Sequence, residues 1–305
     1  MMPTLYLYVG LPGSGKTTHA KLLAEEIDGV IVSSDGIRAE WYGNEAIQGD
    51  PSQIFLEVEN RCKNALGAGR SVIMDATNMN AKKRANFLKR MPECHKVCVV
   101  MAVPFDVCIK RDEERSRSVG PAVMEKMRKN FQMPYYNEGW DHIEIFYPKD
   151  CEMVSAEYHY EMEIAFDQKN SHHSLTVGDH EEKARVIALD ENFDSVVEHA
   201  AVYHDCGKIW CQCFKEGDPE AHYYGHENVS AYQFLTMDAT QLLYGLYSPQ
   251  VIEVAALITW HMVCYQFKHG GVPKDNFMTW ASIHKFDKDF AERLWHLHEC
   301  DVAAH

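Results

Sequence analysis

The sequence predicts an α/β domain built on a parallel sheet, followed by an all-α domain. Three observations predict it. Short apolar runs alternate with helical stretches through the first 150 residues, a glycine-rich loop directly follows the first apolar run, and the alternation stops after residue 170. Strands alternating with helices at this spacing make a parallel sheet covered on both faces.

The elements follow in order. "TLYLYVG" reads as a strand, 16–27 as a helix, "GVIVSS" as a strand and 51–68 as a helix. "SVIMDAT" is the third strand, 80–91 a helix, "KVCVVMAV" the fourth strand and 104–115 a helix, with "HIEIFYP" as the last strand. Beyond these, 178–190, 194–205, 225–245, 249–264 and 285–303 suit helices, and "NSHHSLTVGD" supplies turn and cap residues before the first of them. The expected domains are 1–150 and 165–305, with the junction near 150–170 and no Pro/Gly-rich linker marking it.

Composition narrows the class. Apolar residues make up 46% and charged residues 25% of the 305, the balance of a globular protein. No run of eighteen apolar residues exists, and "MMPTLYLYVG" lacks the basic leader of a signal peptide, so the expectation is a cytoplasmic protein without a membrane partner. The ten cysteines are scattered with no C-x-x-C pair and read as small buried hydrophobes in a reducing compartment. The net charge of −15 is asymmetric: 1–150 holds 20 Lys/Arg against 20 Asp/Glu, and 151–305 holds 10 against 25. That argues against the second half gripping a long polyanion by charge alone. The oligomeric state stays open, a homodimer being one option.

"GLPGSGKTT" matches G-x-x-x-x-G-K-[ST] from Gly10 to Thr17. Gly10, Gly13, Ser14, Gly15, Lys16, Thr17 and Thr18 form a phosphate cradle: backbone N–H groups surround the β-phosphate of ATP, Lys16 reaches the β/γ oxygens and Thr17 ligates Mg²⁺. The next strand ends in "SSDGIR", placing Asp35 at the sheet edge where open α/β sheets bind ligands. Asp35 can take the proton of an attacking hydroxyl while Arg38 holds an anionic part of the acceptor; capping a helix is the plainer alternative. In "DATNMN", Asp75 can orient Mg²⁺ through water, and Thr77 or Asn78 can touch substrate or nucleotide, a cap again being the alternative. "KRDEERSR" offers Arg111, Arg115 and Arg117 before a lid, and Arg111 and Arg115, four apart, suit one helical face holding the transferring phosphate.

Together these residues resemble the P-loop polynucleotide 5′-kinase family, over about residues 5–147. The resemblance implies that Lys16 and Thr17 are the P-loop pair, Asp35 the general base, Arg38 a substrate-binding residue, "DATN" the family's "DTN"-type element, and Arg111 and Arg115 the lid arginines. Related kinases of small molecules use similar frames, so a nucleoside acceptor stays open.

"VVEHAAVYHDCGKIWC" sets His204 beside Asp205, with Lys208 three residues on to contact phosphate. His180, His226, His261 and Asp301 lie on other helical stretches and can converge with the doublet in a bundle core. Imidazoles with a bridging carboxylate suit one or two transition-metal ions (Mn²⁺, Ni²⁺, Co²⁺, Fe or Zn²⁺) better than an oxygen-only site does. This set resembles the HD phosphohydrolase superfamily over about 171–304. The resemblance implies a metal at His180, His204, Asp205 and Asp301, and a second ion held with His226 and His261. His172, His173 and Glu227 are candidates for assisting substrate, whereas His269, His284, His296, His298 and His305 read as ordinary surface histidines.

The expected fold is therefore an α/β P-loop kinase followed by an all-α HD domain. The pairing implies processing of RNA or DNA ends: phosphorylation of a 5′-OH and removal of a 2′,3′-cyclic phosphate or a 2′- or 3′-phosphate. Free nucleotides as substrates of the second site, and an ATP-binding regulatory module with an inactive second domain, are the alternatives.

Overall fold

The computed structural model describes residues 2–115, 117–149, 151–171, 174–237, 248–267 and 273–305. Contacts divide the chain into two compact units, Met1–Glu125 with Glu138–Cys151, and Lys126–Asn137 with Glu152–His305. The first unit is interrupted in sequence by 126–137, which falls with the second. Segment 126–137 packs with the second unit, where its apolar side chains Phe131, Met133 and Tyr135 are buried. Tyr135 lies 4.2 Å, ring centre to ring centre, from Phe290, and the Met133 N–H donates to Thr259 Oγ1 at 3.3 Å. Those side chains have no periodic partner in the neighbouring sequence, so only tertiary packing assigns them.

The first unit runs β1 (Thr4–Val9), α1 (Lys16–Ile27), β2 (Val30–Ser33), α2 (Ser34–Tyr42), α3 (Pro51–Gly67), β3 (Val72–Asp75), α4 (Ala81–Arg90), β4 (His95–Met101), α5 (Phe105–Glu113) and β5 (His142–Phe146). The strand order is β2-β3-β1-β4-β5 and every pairing is parallel. Leu5, Leu7, Tyr8 and Val9 of β1, all four residues of β3 and the last five of β4 are buried, as strands covered on both faces must be. The chain leaves β1 to one side through β2 and β3, then crosses to β4 on the other. The loop after β1 thus opens at the point where strand order reverses, the place where such sheets bind ligands. At the β4–β5 side, Arg84 and Glu138 form a buried bidentate pair, Nε–Oε2 2.8 Å and Nη2–Oε1 2.6 Å, and Trp140 Nε1 adds a donor to Glu138 Oε2 at 3.1 Å.

Helix α6 (Pro121–Arg128) carries the chain across the division. The second unit then holds α7 (Ala156–Ala165), α8 (Val177–Asp190), α9 (Ser195–Tyr203), α10 (Lys208–Cys211), a two-stranded ladder β6 (Cys213–Phe214) and β7 (Ala221–His222), α11 (His226–Thr236), α12 (Ser248–Trp260), α13 (Pro273–Ile283) and α14 (Lys288–Ala304). A 3₁₀ segment, His261–Phe267, continues directly from α12. Helix α2 occupies the helix start expected at Arg38, whereas α6, α7, α10 and α13 lie outside the expected helical stretches. The expected helix 225–245 is α11 as far as Thr236, and 238–247 lie outside the described residues. Among the described residues, no helix is long and apolar enough to cross a membrane.

Candidate functional sites

The phosphate loop is shaped by its glycines. Gly13 and Gly15 adopt positive φ (78° and 83°), and a Cβ on Gly13 would lie 2.4 Å from the Cys108 carbonyl oxygen. Lys16 is buried, and its ammonium donates to the Leu11 carbonyl at 2.6 Å and to Ser14 Oγ at 3.3 Å, folding back over the loop. Burial lowers its pKa to about 8, with Asp75, Cys108 and Asp35 opposing that shift and Arg115 adding to it. Thr17 Oγ1 donates to Asp75 Oδ2 at 2.7 Å, so the residues expected to serve Mg²⁺ come from the β1 loop and the end of β3 and meet side by side. A hydroxyl and a carboxylate together at a P-loop are the oxygen donors that Mg²⁺ takes alongside nucleotide phosphates. The hard-oxygen donor set fits the ion. Thr18 follows in the first turn of α1.

At the end of β2, Ser33 caps α2 by accepting the Gly36 N–H at 2.9 Å, which leaves the Asp35 carboxylate free of that duty. Arg38 Nη1 lies 2.8 Å and Arg117 Nη1 3.3 Å from the same oxygen, Asp35 Oδ1. The Asp35 side chain is half exposed while Arg38 is buried. One carboxylate at the sheet edge is therefore held by two guanidiniums with a face still open to solvent. Cap roles in "DATNMN" also go elsewhere: Asn80 accepts the Lys83 N–H and caps α4. Thr77 gives its carbonyl to the Gly10 N–H. Asn78 has φ 47° and donates its amide to the carbonyls of Tyr8 (2.8 Å) and Ala76 (3.3 Å), bracing the end of β1.

Arg111 and Arg115 do not share a helical face as expected. Helix α5 ends at Glu113 because Asp112, buried in its last turn, captures the chain beyond: Oδ2 accepts Ser118 Oγ (2.7 Å) and the Val119 (2.9 Å) and Gly120 (3.2 Å) N–H groups. Arg115 falls on the turn, and Arg117, from the same basic stretch, joins Arg38 on Asp35.

In the second unit, six expected ligands come together from five elements. His180 sits in the first turns of α8, where Thr176 caps the helix; His204 and Asp205 follow the end of α9; His226 opens α11; His261 follows α12; and Asp301 lies in the last turn of α14. His180, His204, Asp205 and Asp301 form one group of converging donors, and Asp205, His226 and His261 a second. His180 Nε2 lies 3.3 Å from His204 Nε2, 3.5 Å from Asp205 Oδ2 and 3.3 Å from Asp301 Oδ1. The other oxygen, Asp205 Oδ1, faces His226 Nε2 at 3.1 Å and His261 Nε2 at 3.8 Å. Three of the histidines donate Nδ1–H to a backbone carbonyl one turn back: His204 to Ala201, His226 to Tyr223 and His261 to Ile258, at 2.7–2.9 Å. That bond orients the ring and points the Nε2 lone pair into the cluster. Donors about 2.1 Å from one ion stand roughly 3.0–3.4 Å apart in octahedral or tetrahedral geometry, and the shorter separations here, 3.1–3.3 Å, match that spacing while the others, 3.5–3.8 Å, are wider.

Burial and neighbouring charge set the protonation of this cluster. Burial, joined by His204 and His226, lowers the pKa of His261 to about 3, so its ring is neutral. Burial works to raise both carboxyls, but Lys208 with the His204 and His226 imidazoles holds Asp205, and the His180 and His204 imidazoles hold Asp301, well below the ordinary carboxylate range. Lys208 is not poised toward an open cavity. It is buried with Nζ 2.6 Å from Asp205 Oδ2 and 2.9 Å from Gln168 Oε1, because the chain turns directly from Asp205 into α10. Gly207 makes that turn possible: a Cβ there would lie 2.5 Å from both the His226 carbonyl oxygen and the Ser230 nitrogen. Further residues brace the cluster. Glu181 Oε1 accepts the Asp205 N–H at 2.9 Å, and Tyr265 donates to Asp301 Oδ2 at 2.7 Å. Glu181, next to His180, and Tyr265, four after His261, carried a positional signal; Gln168 carried none. His172 and His173 lie outside the described residues.

Comparison with known proteins addresses the first half. Residues 5–134 match a family model described as an AAA domain. L-seryl-tRNA(Sec) kinase of Methanococcus maripaludis is 28% identical over 146 residues, 45% of this chain and 56% of that protein. The chain thus spans little more than half the length of this curated relative. Among solved structures, a chain of the Pnkp1/Rnl/Hen1 RNA repair complex is 26% identical with a TM-score of 0.39, covering 42% of this chain and 44% of that one. A structure from Chloroflexus aurantiacus is 19% identical with a TM-score of 0.39, covering 50% of this chain and 93% of that one. The first half is a parallel-sheet α/β P-loop domain of the kinase-like kind.

Proposed function

We propose that the chain is a bifunctional nucleic-acid end-processing enzyme, with an ATP-dependent 5′-hydroxyl kinase in the first unit and an HD-type metal-dependent phosphohydrolase in the second. The observation that carries the first activity is Asp35, held by Arg38 and Arg117 at the sheet edge that also carries Lys16 and the Thr17–Asp75 pair. Asp35 accepts the proton of the acceptor hydroxyl, Arg38 and Arg117 orient that carboxylate, and Lys16 with Arg111 and Arg115 receives the negative charge on the transferring phosphoryl group. Mg²⁺ at Thr17 and Asp75 supplies charge neutralisation of the nucleotide phosphates. Thr77 or Asn78, just beyond β3, contacts the acceptor or the nucleotide.

The second activity is carried by Asp205, whose two oxygens face two separate sets of imidazoles. Ions held there supply Lewis acidity for phosphoryl transfer to water. Around them His204, His226 and His261 keep fixed tautomers, Glu181 holds the Asp205 backbone, and Lys208 balances the charge of Asp205.

Labelled ATP offered with 5′-OH RNA or DNA oligonucleotides tests the kinase: label appears on the 5′ end, and Asp35→Asn abolishes transfer while leaving nucleotide affinity intact. A second acceptor class is favoured by the relative named as a kinase of L-seryl-tRNA(Sec), which would make the hydroxyl that of a tRNA-borne amino acid. Competition among oligonucleotides, nucleosides and seryl-tRNA separates the acceptors. Elemental analysis of the purified chain, then hydrolysis of cyclic-phosphate RNA, 3′-phosphate RNA and free nucleotides with Mn²⁺, Co²⁺, Ni²⁺ or Zn²⁺, tests the second unit. Activity that survives Asp205→Asn unchanged would remove the assigned centre.

A further inference from the structure

His305 stands on the same face of α14 as Asp301, one turn further on, and its Nε2 lies 3.6 Å from Asp301 Oδ1. That is the oxygen His180 approaches at 3.3 Å and His204 at 3.6 Å. The His305 ring also packs against the His180 ring, with centroids 4.9 Å apart and planes tilted by 33°. Its backbone is anchored, since Lys183 Nζ donates to the His305 carbonyl at 3.3 Å.

Exposure separates His305 from the rest of the cluster. The side chains of His180, His204, His261, Asp205 and Asp301 are at most 5% exposed, and that of His305 is 28% exposed. A phosphate arriving from solvent at this group of donors therefore meets an imidazole at its rim. The residue expected to meet phosphate from the motif, Lys208, is buried and engaged by Asp205 and Gln168. A phosphoryl dianion at this centre needs hydrogen-bond donors of its own besides any ion, and His305 is placed to give one.

We propose that His305 is a substrate-binding residue of the second site, donating an imidazole N–H to a non-reacting phosphoryl oxygen at the His180–Asp301 rim. The proposal rests on reading that centre as a phosphohydrolase. It assigns His305 to the phosphate and not to the metal.

Isothermal titration of inorganic phosphate into the Mn²⁺-loaded full chain tests it, with wild type, His305→Ala and His305→Gln compared. Loss of one hydrogen bond to a charged group weakens binding by about tenfold or more, so His305→Ala binds phosphate roughly that much more weakly, and His305→Gln, which restores a donor, recovers part of the loss. Metal content is the same in all three. With whichever phosphate substrate the wild type hydrolyses, His305→Ala raises KM more than it lowers kcat. Unchanged phosphate affinity in His305→Ala overturns the proposal while the phosphohydrolase reading stands. A fall in bound manganese overturns it differently, by making His305 a ligand. Wild-type protein that binds no manganese defeats the underlying reading and this inference with it.

Discussion

Lys16 shows how one side chain registers its surroundings. Enclosed by the loop it serves, it pays the desolvation cost of a buried ammonium, and its pKa falls to about 8. The charged form is therefore full below pH 8 and fades above it, whereas a bound polyphosphate favours the charged form. Nucleotide affinity should be highest below pH 8 and decline as pH rises through 8 to 9, with proton uptake on binding in that window; affinity flat from pH 7 to 9.5 would contradict the burial argument. Arg117 makes a second residue-scale case. Because it shares Asp35 Oδ1 with Arg38, Arg117→Ala should slow phosphoryl transfer by ~10²-fold, as loss of a preorganised charged donor does, while ATP affinity measured by titration stays unchanged. A proportional loss of ATP affinity would move Arg117 from the acceptor to the nucleotide.

At the scale of elements, many of the candidate side chains are set by an ending. Strands β1, β2 and β3 end at the P-loop, at Asp35 and at Asp75; α9 ends just before His204 and Asp205, and α12 just before His261. Helix and strand ends leave backbone groups without regular partners, and here those carbonyls take the histidine Nδ1–H bonds. The turn between Asp205 and α10 is the tightest of these joints. Gly207→Ala would force α10 away from α11, costing about 1–3 kcal/mol as overpacking does, and should lower metal content because Asp205 and His226 sit on the two sides of that contact. Metal analysis alongside thermal unfolding checks it; full metal content at an unchanged Tm would show that the joint is slack. The endings were legible as punctuation, with "SSDGIR", "DATN" and "HDCGK" each lying where an element stops. The α5 ending was not, because it depends on Asp112 capturing N–H groups seven and eight residues ahead.

At the scale of the molecule, the chain divides into two compact units, and each holds one of the two candidate sites. If the second unit holds metal, chelation should act on it alone. A ligand present at about 1,000 times its Kd stabilises the folded state by ~4 kcal/mol, so removal of metal should lower one calorimetric transition by on the order of 10 °C. ATP should raise the other transition and leave the first where it is. A single transition moved equally by both ligands would show that the units unfold together.

Local sequence alone determined the elements with strong periodicity, the P-loop, and the histidines and aspartates suited to a metal, because a strand's alternation, a glycine's φ and a donor's chemistry are properties of neighbouring residues. Tertiary structure decided the rest. It set Arg117 beside Arg38 on Asp35, drew 126–137 into the second unit, gave Lys208 to Asp205, and brought His305 to the cluster rim. Each of these depends on where a distant side chain or backbone group stands in space, and neither spacing nor composition encodes that distance. Asp205 and Asp301, 96 residues apart, share His180 only because α8, α9 and α14 pack around one core.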